Sequence, residues 1–175
     1  MDGGRTGRRI GGSVDAPDPL TMPAVILPPV LRPAVQADAE FLYGLWDAEA
    51  RRQSFTGGPP TMTSHLAWLK AVLADPQAHL FVAMEGGRPV GSARLDVEGR
   101  EATVSVMVAD RERRRGLGTA ILGGLDAEAR PLGIGSLRAE IFETNTGSRT
   151  AFANAGYRIA DIADGVVTMG KEITK

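Results

Sequence analysis

The residues Val104-Ser105-Val106-Met107-Val108, then Ala109 to Arg115, then Gly116-Leu117-Gly118-Thr119, decide the fold of this chain. The first five are rich in β-branched side chains and predict the end of a strand. The glycines predict a turn, and apolar residues at helical spacing predict a helix over Leu117 to Arg130. The first N–H groups of a helix have no partner within it and carry partial positive charge. The turn therefore predicts an anion site suited to phosphate.

Arginines strengthen this interpretation of the turn. Arg111, Arg113, Arg114 and Arg115 add positive charge and planar hydrogen-bond donors. The alternative is a solvated basic helix start with Gly116 as its cap. The stretch does not match the P-loop, because no Gly-Lys-Ser/Thr follows, and its glycine pattern differs from the dinucleotide-binding fingerprint.

The remaining patterns predict an α+β domain with a mixed sheet. Three strands joined by Gly86-Gly87 and Glu98-Gly99 form an antiparallel meander. The strand, helix and strand of residues 101–142 form a crossover unit, so its two strands should be parallel. We expect Asp38 to cap the first helix, and Thr63 or Ser64 the second. The predicted strands are 30–34, 78–85, 89–97, 100–108, 137–142, 157–162 and 166–171, and the predicted helices are 39–50, 63–73, 117–130 and 148–155.

Composition limits the classes of function. A length of 175 residues fits one domain, and the net charge of −1 gives no basic field for nucleic acid. The absence of cysteine excludes disulfides, thiolate nucleophiles and cysteine zinc sites, and His65 and His79 lack metal-ligand spacing, so no metal is expected. No apolar run approaches the roughly 20 residues that cross a bilayer. We expect a cytoplasmic protein without membrane contact, with a disordered tail over residues 1–29 and one domain over 30–175.

Two motifs carry a family resemblance. Arg113-x-x-Gly116-x-Gly118 resembles the acyl-CoA pyrophosphate loop of the GNAT superfamily of N-acetyltransferases, whose pattern is Gln/Arg-x-x-Gly-x-Gly/Ala. Asn145-x-x-Ser148, with Phe152 and Gly156-Tyr157 after it, is similar to a second segment of that family. The resemblance covers residues 30 to 171 in the same order of elements. It implies a three-layer α/β/α fold with a mostly antiparallel sheet, one splayed parallel strand pair, and acetyl-CoA as co-substrate.

The resemblance also implies where the co-substrate binds. Its pantetheine arm would lie between the strands 101–108 and 137–142, where backbone N–H donors stabilise the developing oxyanion. An amine would attack the thioester directly, which agrees with the absence of cysteine. The implied contacts are Val106, Met107, Val108, Arg113, Arg114, Arg115, Gly116, Leu117, Gly118, Thr119, Asn145, Ser148 and Phe152.

An attacking amine has to lose a proton, because amines with a lysine-like pKa are mostly protonated at pH 7. A general base is therefore expected. Many family members carry a Glu on the central strand where this chain has Thr103. Glu101 on the same face, Glu143 after the fifth strand, and His65 are the candidates, although each carboxylate could instead be a solvated surface group.

Phe152 stands where many members of the family have a tyrosine that acts as general acid. One interpretation is that the thiolate, with a pKa of about 8.5, leaves without an acid. The other is that the protein binds acyl-CoA and catalyses poorly.

The predicted acceptor site lies between the first two helices. Trp46, Arg51, Ser54, Phe55 and His65-x-x-Trp68 resemble the nucleotide-linked aminosugar N-acetyltransferases of the pseudaminic-acid pathway type. Aromatic rings and arginines can stack a sugar and pair phosphates, although both tryptophans could simply anchor their helices. We expect acetyl transfer to the primary amine of a small molecule by a monomer or homodimer. The alternatives are a ribosomal-protein-type N-terminal acetyltransferase and a non-catalytic acyl-CoA-binding module.

Overall fold

The computed structural model describes residues 27–53 and 60–174 of the 175-residue chain. Of the tail predicted for residues 1–29, residues 1–26 lie outside the described residues. The candidate substrate contacts Ser54 and Phe55 also lie outside them. The first strand begins at Val30, where the sequence predicts the start of the domain.

One seven-stranded sheet forms the centre of the described chain, in the order β1-β2-β3-β4-β5-β7-β6. All neighbours are antiparallel except β4 and β5, which confirms the predicted mixed sheet with one parallel pair. Gly86 and Gly87 connect β2 to β3 with φ angles of 56° and 80°, which a two-residue hairpin of this kind requires. The strands are β1 Val30–Pro33, β2 Ala78–Glu85, β3 Arg88–Glu98, β4 Glu101–Val108, β5 Ser136–Phe142, β6 Arg158–Ala163 and β7 Val166–Glu172.

Helices cover both faces of the sheet, which confirms the three-layer fold. On one face, Leu42 and Leu69 pack with Val82 of β2 in a buried cluster. On the other face, Ile121 and Phe152 belong to the larger core with the inward side chains of β3, β4, β5 and β7. The helices are α1 Ala39–Gly44, α2 Ala48–Arg52, α3 Met62–Ala74, α4 Leu117–Ala129 and α5 Thr146–Asn154, so α1 and α3 lie on the first face and α4 and α5 on the second.

The prediction of one continuous helix over residues 39–50 is wrong. The chain leaves the helix after Gly44, and Asp47 begins α2 by accepting a hydrogen bond from the Ala50 N–H at 2.9 Å. Asp38 does not cap α1 with its side chain. Its carboxylate instead binds the Arg32 guanidinium at 2.8 and 3.0 Å and accepts from the Val35 N–H at 2.8 Å, because Asp38 already ends a helical turn over Gln36–Asp38 and lacks the extended backbone of an N-cap.

The predicted start of the next helix is also displaced. Thr61, and neither Thr63 nor Ser64, is the N-cap of α3. The Thr61 hydroxyl oxygen accepts from the Ser64 N–H at 3.1 Å, and the Ser64 hydroxyl oxygen accepts from the Thr61 N–H at 2.9 Å. This reciprocal pair is a capping box that uses serine at its third position.

The parallel strands β4 and β5 pair over only three residues, from Glu101 with Ser136 to Thr103 with Arg138. Beyond that point β4 stays paired to β3 as far as Val108, and β5 stays paired to β7 as far as Phe142. Each strand follows its antiparallel partner, so the two diverge toward their carboxyl ends. The result is a cleft between residues 104–108 and 139–142.

Gly91 lets three elements meet beside this cleft. A Cβ atom at Gly91 would lie 2.5 Å from the Met107 carbonyl oxygen and 3.0 Å from Cδ1 of Ile121. Any larger residue would therefore push β3 away from the end of β4 and from α4.

We expect Gly91→Ala to lower the free energy of unfolding by about 1–3 kcal/mol, because the added methyl overpacks a closed contact. Gly123→Ala is the matched control, since Gly123 is exposed in α4 with no atom within 4 Å of an added Cβ. That variant should be neutral or more stable by up to about 1 kcal/mol. Urea denaturation of both measures the difference, and equal stabilities would contradict the close approach.

Candidate functional site

The edge of β4 that faces the cleft offers backbone hydrogen-bonding groups. The Ala109 N–H donates to the Val90 carbonyl at 2.9 Å, and alternate residues of an antiparallel ladder turn toward the same neighbour. The backbone groups of Met107 therefore point to β3, and those of Val106 and Val108 point to the β5 side. The Val108 carbonyl accepts from Arg113 Nε at 3.3 Å. Of the three predicted strand residues, Val106 and Val108 thus line the cleft with their backbone.

The start of α4 has the geometry that the sequence predicts for an anion site. Gly116 is the N-cap with a φ of 77°, a conformation that favours glycine. The first intrahelical hydrogen bond runs from the Ala120 N–H to the Gly116 carbonyl at 3.1 Å. The N–H groups of Leu117, Gly118 and Thr119 precede it and have no partner in the helix. The Leu117 side chain is buried in the core and fixes this turn on the sheet.

The four arginines of the turn have different environments. Arg113 Nη2 lies 2.5 Å from Asp47 Oδ2. Arg115 pairs with Glu112 and, at 2.9 Å, with Glu85. Arg111 and Arg114 form no hydrogen bond or ion pair within the described residues. Two of the four positive charges are thus already matched by carboxylates, which no local pattern in the sequence indicates.

Glu85, Arg88, Glu112 and Arg115 form one network of charges. Arg88 lies 3.0 Å from Glu112 and 3.9 Å from Glu85. The hydrogen bond from Arg115 to Glu85, and the charge of that carboxylate, raise the pKa of Arg115. Burial disfavours ionised Glu112, but the hydrogen bonds and charges of Arg88 and Arg115 outweigh it and lower its pKa. The network ties the β2–β3 hairpin to the turn before α4.

Asn145 of the second motif caps α5, and a separate hydrogen bond joins α5 to α4. Asn145 is the N-cap of α5, and its Oδ1 accepts from the Ser148 N–H at 3.0 Å. The Thr119 hydroxyl donates to the Ala151 carbonyl at 3.4 Å. Phe152 is 2% exposed and packs edge-on against Tyr157, with ring centroids 4.8 Å apart. Phe152 is therefore a core residue, and its burial gives no support to the expected contact with the co-substrate.

His65 is buried between α1 and α3 with 2% exposure. Its Nε2 lies 3.0 Å from the Ala39 carbonyl oxygen, and its ring lies between Tyr43 and Trp68 at centroid distances of 5.4 and 5.3 Å. Burial lowers its pKa, although the bond to Ala39 acts in the opposite direction. The neutral ring donates to the Ala39 carbonyl and so holds α1 and α3 together. This structural position does not favour the expected role of His65 as general base.

The two candidate carboxylates lie at opposite ends of the parallel strand pair. Glu101 is exposed at the paired end of β4 and lines a cavity of about 310 Å³ with Asp96, Glu98 and Thr103. Val106 lies five positions further along, about 17 Å at the rise of a strand. Glu143 is exposed just after β5 at the open end of the cleft, where its N–H donates to the Gly165 carbonyl at 2.8 Å.

Glu140 of β5 was not among the candidates from the sequence. Leu137, Ala139 and Ile141 of this strand are buried in the core, so Glu140 faces the opposite side of the sheet. Extending the β4–β5 register from its last pair places Glu140 level with Ser105, next to Val106. Its Oε1 accepts from Arg138 Nη2 at 2.8 Å. The alternation of apolar and polar residues along β5 indicates the face on which Glu140 lies. Only the pairing register of β4 and β5 shows which part of the cleft Glu140 borders.

Among the predicted acceptor residues, Trp46 and Arg51 are in contact with each other, and Trp68 lies in the cluster of the first face. Arg51 Nε donates to the Trp46 carbonyl at 2.8 Å. Trp68 packs half-buried against the cluster of α1 and α3, and the Arg94 guanidinium lies 5.8 Å from its ring centroid. These contacts agree with an anchoring role for Trp68 and leave its predicted contact with substrate a proposal.

A family model supplies the identification. The acetyltransferase (GNAT) family matches residues 41–157, a span that runs from α1 through the cleft and the turn to Tyr157. This chain belongs to the GNAT family of acetyltransferases. The predicted family and the predicted enzyme class are thereby confirmed. A search of the curated proteins found no significant match.

Solved structures show the same GNAT fold. An acetyltransferase from Thermus thermophilus is 21% identical, with a TM-score of 0.72 over 84% of this chain and 98% of that one. Aminoglycoside acetyltransferase AAC(6′)-Ib, in complex with coenzyme A and kanamycin, is 18% identical, with a TM-score of 0.72 over 82% and 94%. Spermidine N-acetyltransferase from Vibrio cholerae, in complex with CoA and spermine, is 13% identical, with a TM-score of 0.74 over 83% and 96%. The presence of CoA in the last two structures agrees with the predicted co-substrate.

Two further observations concern metals and membranes. Among the described residues, no group of histidine, aspartate and glutamate side chains could hold a metal ion. None of the helices in the described parts of the chain combines the length and the apolar composition that crossing a bilayer requires.

The environment of His65 predicts a pH-dependent stability. Because burial lowers its folded pKa below the unfolded value near 6.5, its contribution is present above that pH and is lost as the pH falls below it. We expect His65→Gln to weaken the dependence of the denaturation midpoint on pH between about 5 and 7. The pH dependence of kcat/KM should keep its acidic limb in the same variant. Loss of that limb would show that His65 is the base after all.

Proposed function

We propose that this protein transfers the acetyl group of acetyl-CoA to the primary amine of a small molecule by direct attack on the thioester. The observation that carries the proposal is the edge of β4 at Val106 and Val108, which has no strand partner beyond Thr103. This edge leads to the N–H groups of Leu117 to Thr119, which have no partner within α4. A backbone edge and a helix N-terminus in this order suit an extended amide chain that ends in a pyrophosphate.

The residues of the cleft fit the two parts of the co-substrate. The N-terminal turn of α4 offers donors and partial positive charge to the pyrophosphate, and the cations of Arg111 and Arg114 add to the field. The Val106 N–H is a fixed donor for the thioester oxygen, which gains negative charge as the amine attacks. Acetyl-CoA supplies the activated acyl group, and the protein supplies orientation and a polar edge.

Glu140 is the carboxylate that we propose as general base, directly or through one water. It borders the cleft beside Val106 on the face of α1 and α3, where the acceptor would enter. Glu101 lies about 17 Å from Val106 along β4, which is beyond the reach of a glutamate side chain. Glu143 at the open end remains the second candidate. Because Phe152 lies in the core and has no proton to donate, we propose that water protonates the departing thiolate.

The identity of the amine is a finer proposal. The similar structures with kanamycin and spermine support small molecules that carry primary amines. The aminosugar nucleotide expected from Trp46, Arg51 and Trp68 stays a prediction, because Ser54 and Phe55 of the same pattern lie outside the described residues.

A thiol-release assay with acetyl-CoA and a panel of amines tests the reaction itself. The panel contains polyamines, aminoglycosides, aminosugar nucleotides and short peptides. Release with a polyamine or aminoglycoside would support a small cationic acceptor. Release with an aminosugar nucleotide would support the resemblance to the aminosugar N-acetyltransferases. Release with peptides alone would favour an N-terminal acetyltransferase. No release despite calorimetric binding of acetyl-CoA would favour the non-catalytic module.

Gly118 provides a test of the turn. We expect Gly118→Asp to weaken CoA binding by at least roughly tenfold, because the carboxylate lies among the N–H groups that would hold the pyrophosphate. The fold should persist, since an added Cβ makes only ordinary contacts, the nearest being Ala151 Cβ at 3.5 Å, and an acidic residue suits a helix start. Gly118→Ala is the matched control without charge and should change the affinity far less. Equal effects in calorimetry would contradict the anion site.

The proposed base can be separated from the alternatives by three amide variants. We expect Glu140→Gln to lower kcat/KM by roughly 10²–10⁴-fold and to remove the acidic limb of its pH profile. Glu101→Gln should change kcat/KM little. A large loss in Glu143→Gln with Glu140→Gln unaffected would move the role to Glu143, and a large loss in Glu101→Gln alone would show that the distance argument is wrong.

A further inference from the structure

One ion pair connects the turn before α4 to the short helix α2, two segments that are 66 residues apart in sequence. Arg113 Nη2 and Asp47 Oδ2 lie 2.5 Å apart, and the two side chains are only 27% and 25% exposed. Asp47 is also the N-cap of α2, since its Oδ1 accepts from the Ala50 N–H at 2.9 Å. A single carboxylate therefore holds the turn with one oxygen and starts a helix with the other.

The other two nitrogens of Arg113 each have an acceptor as well. Nε donates to the Val108 carbonyl at 3.3 Å, and Nη1 lies 3.4 Å from Asp110 Oδ1. A guanidinium binds carboxylate and phosphate with the same fork of donors. A pyrophosphate oxygen that approaches Nη2 from the side that Asp47 occupies would compete with that carboxylate, which is the shortest of the three contacts.

We infer that Asp47 is a positioning residue that competes with the pyrophosphate of acyl-CoA for Arg113, so that binding of the co-substrate releases α2 from the turn. The inference rests on the proposed acetyl-CoA site. α2 has only five residues, and so short a helix depends on its contacts and its cap. Because Asp47 stands between α1 and α3, loss of its partner would reorganise residues 46–53 on the acceptor side.

The consequence is coupling between the two substrates. If acyl-CoA displaces Asp47 from Arg113, then the arrangement of the acceptor side changes when the co-substrate binds. Coupling of this kind is reciprocal, so each substrate changes the affinity of the other by the same factor. The affinity for the amine should therefore differ between the CoA complex and the free protein.

Asp47→Asn separates competition from a simple structural role. Asparagine retains an oxygen that can cap α2 but carries no charge to hold Arg113. We expect the Kd for CoA to fall by roughly two- to fivefold, the factor that a partly exposed ion pair represents. A residue with only a structural role would leave the affinity unchanged or weaken it, so a gain in affinity is the specific signature.

Asp110→Asn is the matched control for charge alone. Asp110 is 76% exposed and contacts the same guanidinium at 3.4 Å. Its change to asparagine removes one negative charge from the turn without breaking the ion pair between Arg113 and Asp47. Isothermal titration with CoA should give a smaller gain for Asp110→Asn than for Asp47→Asn. An unchanged or higher Kd in Asp47→Asn, or equal gains in the two variants, would overturn the inference. Failure of the wild-type protein to bind CoA would instead overturn the proposed function.

Fluorescence of Trp46 reports on the acceptor side. The chain has two tryptophans, and Trp68→Phe leaves only Trp46, the residue before Asp47. Once this variant is shown to bind CoA, saturating CoA should change its emission. The same change should be much smaller when Asp47→Asn is added, because α2 is already free of the turn. An equal change in both backgrounds would contradict the release of α2.

Discussion

Divergence of β4 from β5 is the constraint on which the rest of this structure depends. Two parallel strands that pair over only three residues leave backbone groups without ladder partners, and such groups are costly unless water or a ligand satisfies them. The arrangement persists because each strand is fixed on its far side, β4 by β3 and β5 by β7. A ligand with its own amide groups can then occupy the gap as an additional strand would.

The turn before α4 depends on that divergence. The direction of α4 follows from the end of β4, where Gly91 allows Ile121 and Met107 to approach closely. The charge network of Glu85, Arg88, Glu112 and Arg115 then holds the turn to the β2–β3 hairpin. Backbone donors and the strand edge thus belong to one rigid unit, and preorganised donors of this kind cost little to arrange at the moment of reaction.

Local signals made most of the fold predictable. The strands of the meander follow from the two turns at Gly86-Gly87 and Glu98-Gly99 and from the β-branched residues up to Val108. The turn and the start of α4 follow from the glycine pattern around Gly116. The break between Gly44 and Asp47 could not be predicted, because residues 39–50 keep a helical period and the partner of Asp47 is distant in sequence. The role of His65 was equally hidden, since its burial depends on how α1 meets α3. Glu140 required the register of β5 against β4, which no local pattern contains.

The distribution of charge around the turn is compatible with the proposed anion site in a protein with a net charge of −1. Carboxylates hold two of its arginines in place, and the backbone of α4 adds a dipole at a first turn that contains no acidic residue. In the proposed site, specificity for a pyrophosphate would come from geometry, because a ligand would have to match the N–H groups of Leu117 to Thr119 and also outcompete Asp47. Such a site would discriminate against simple anions, which could reach the exposed arginines but could not follow the edge of β4.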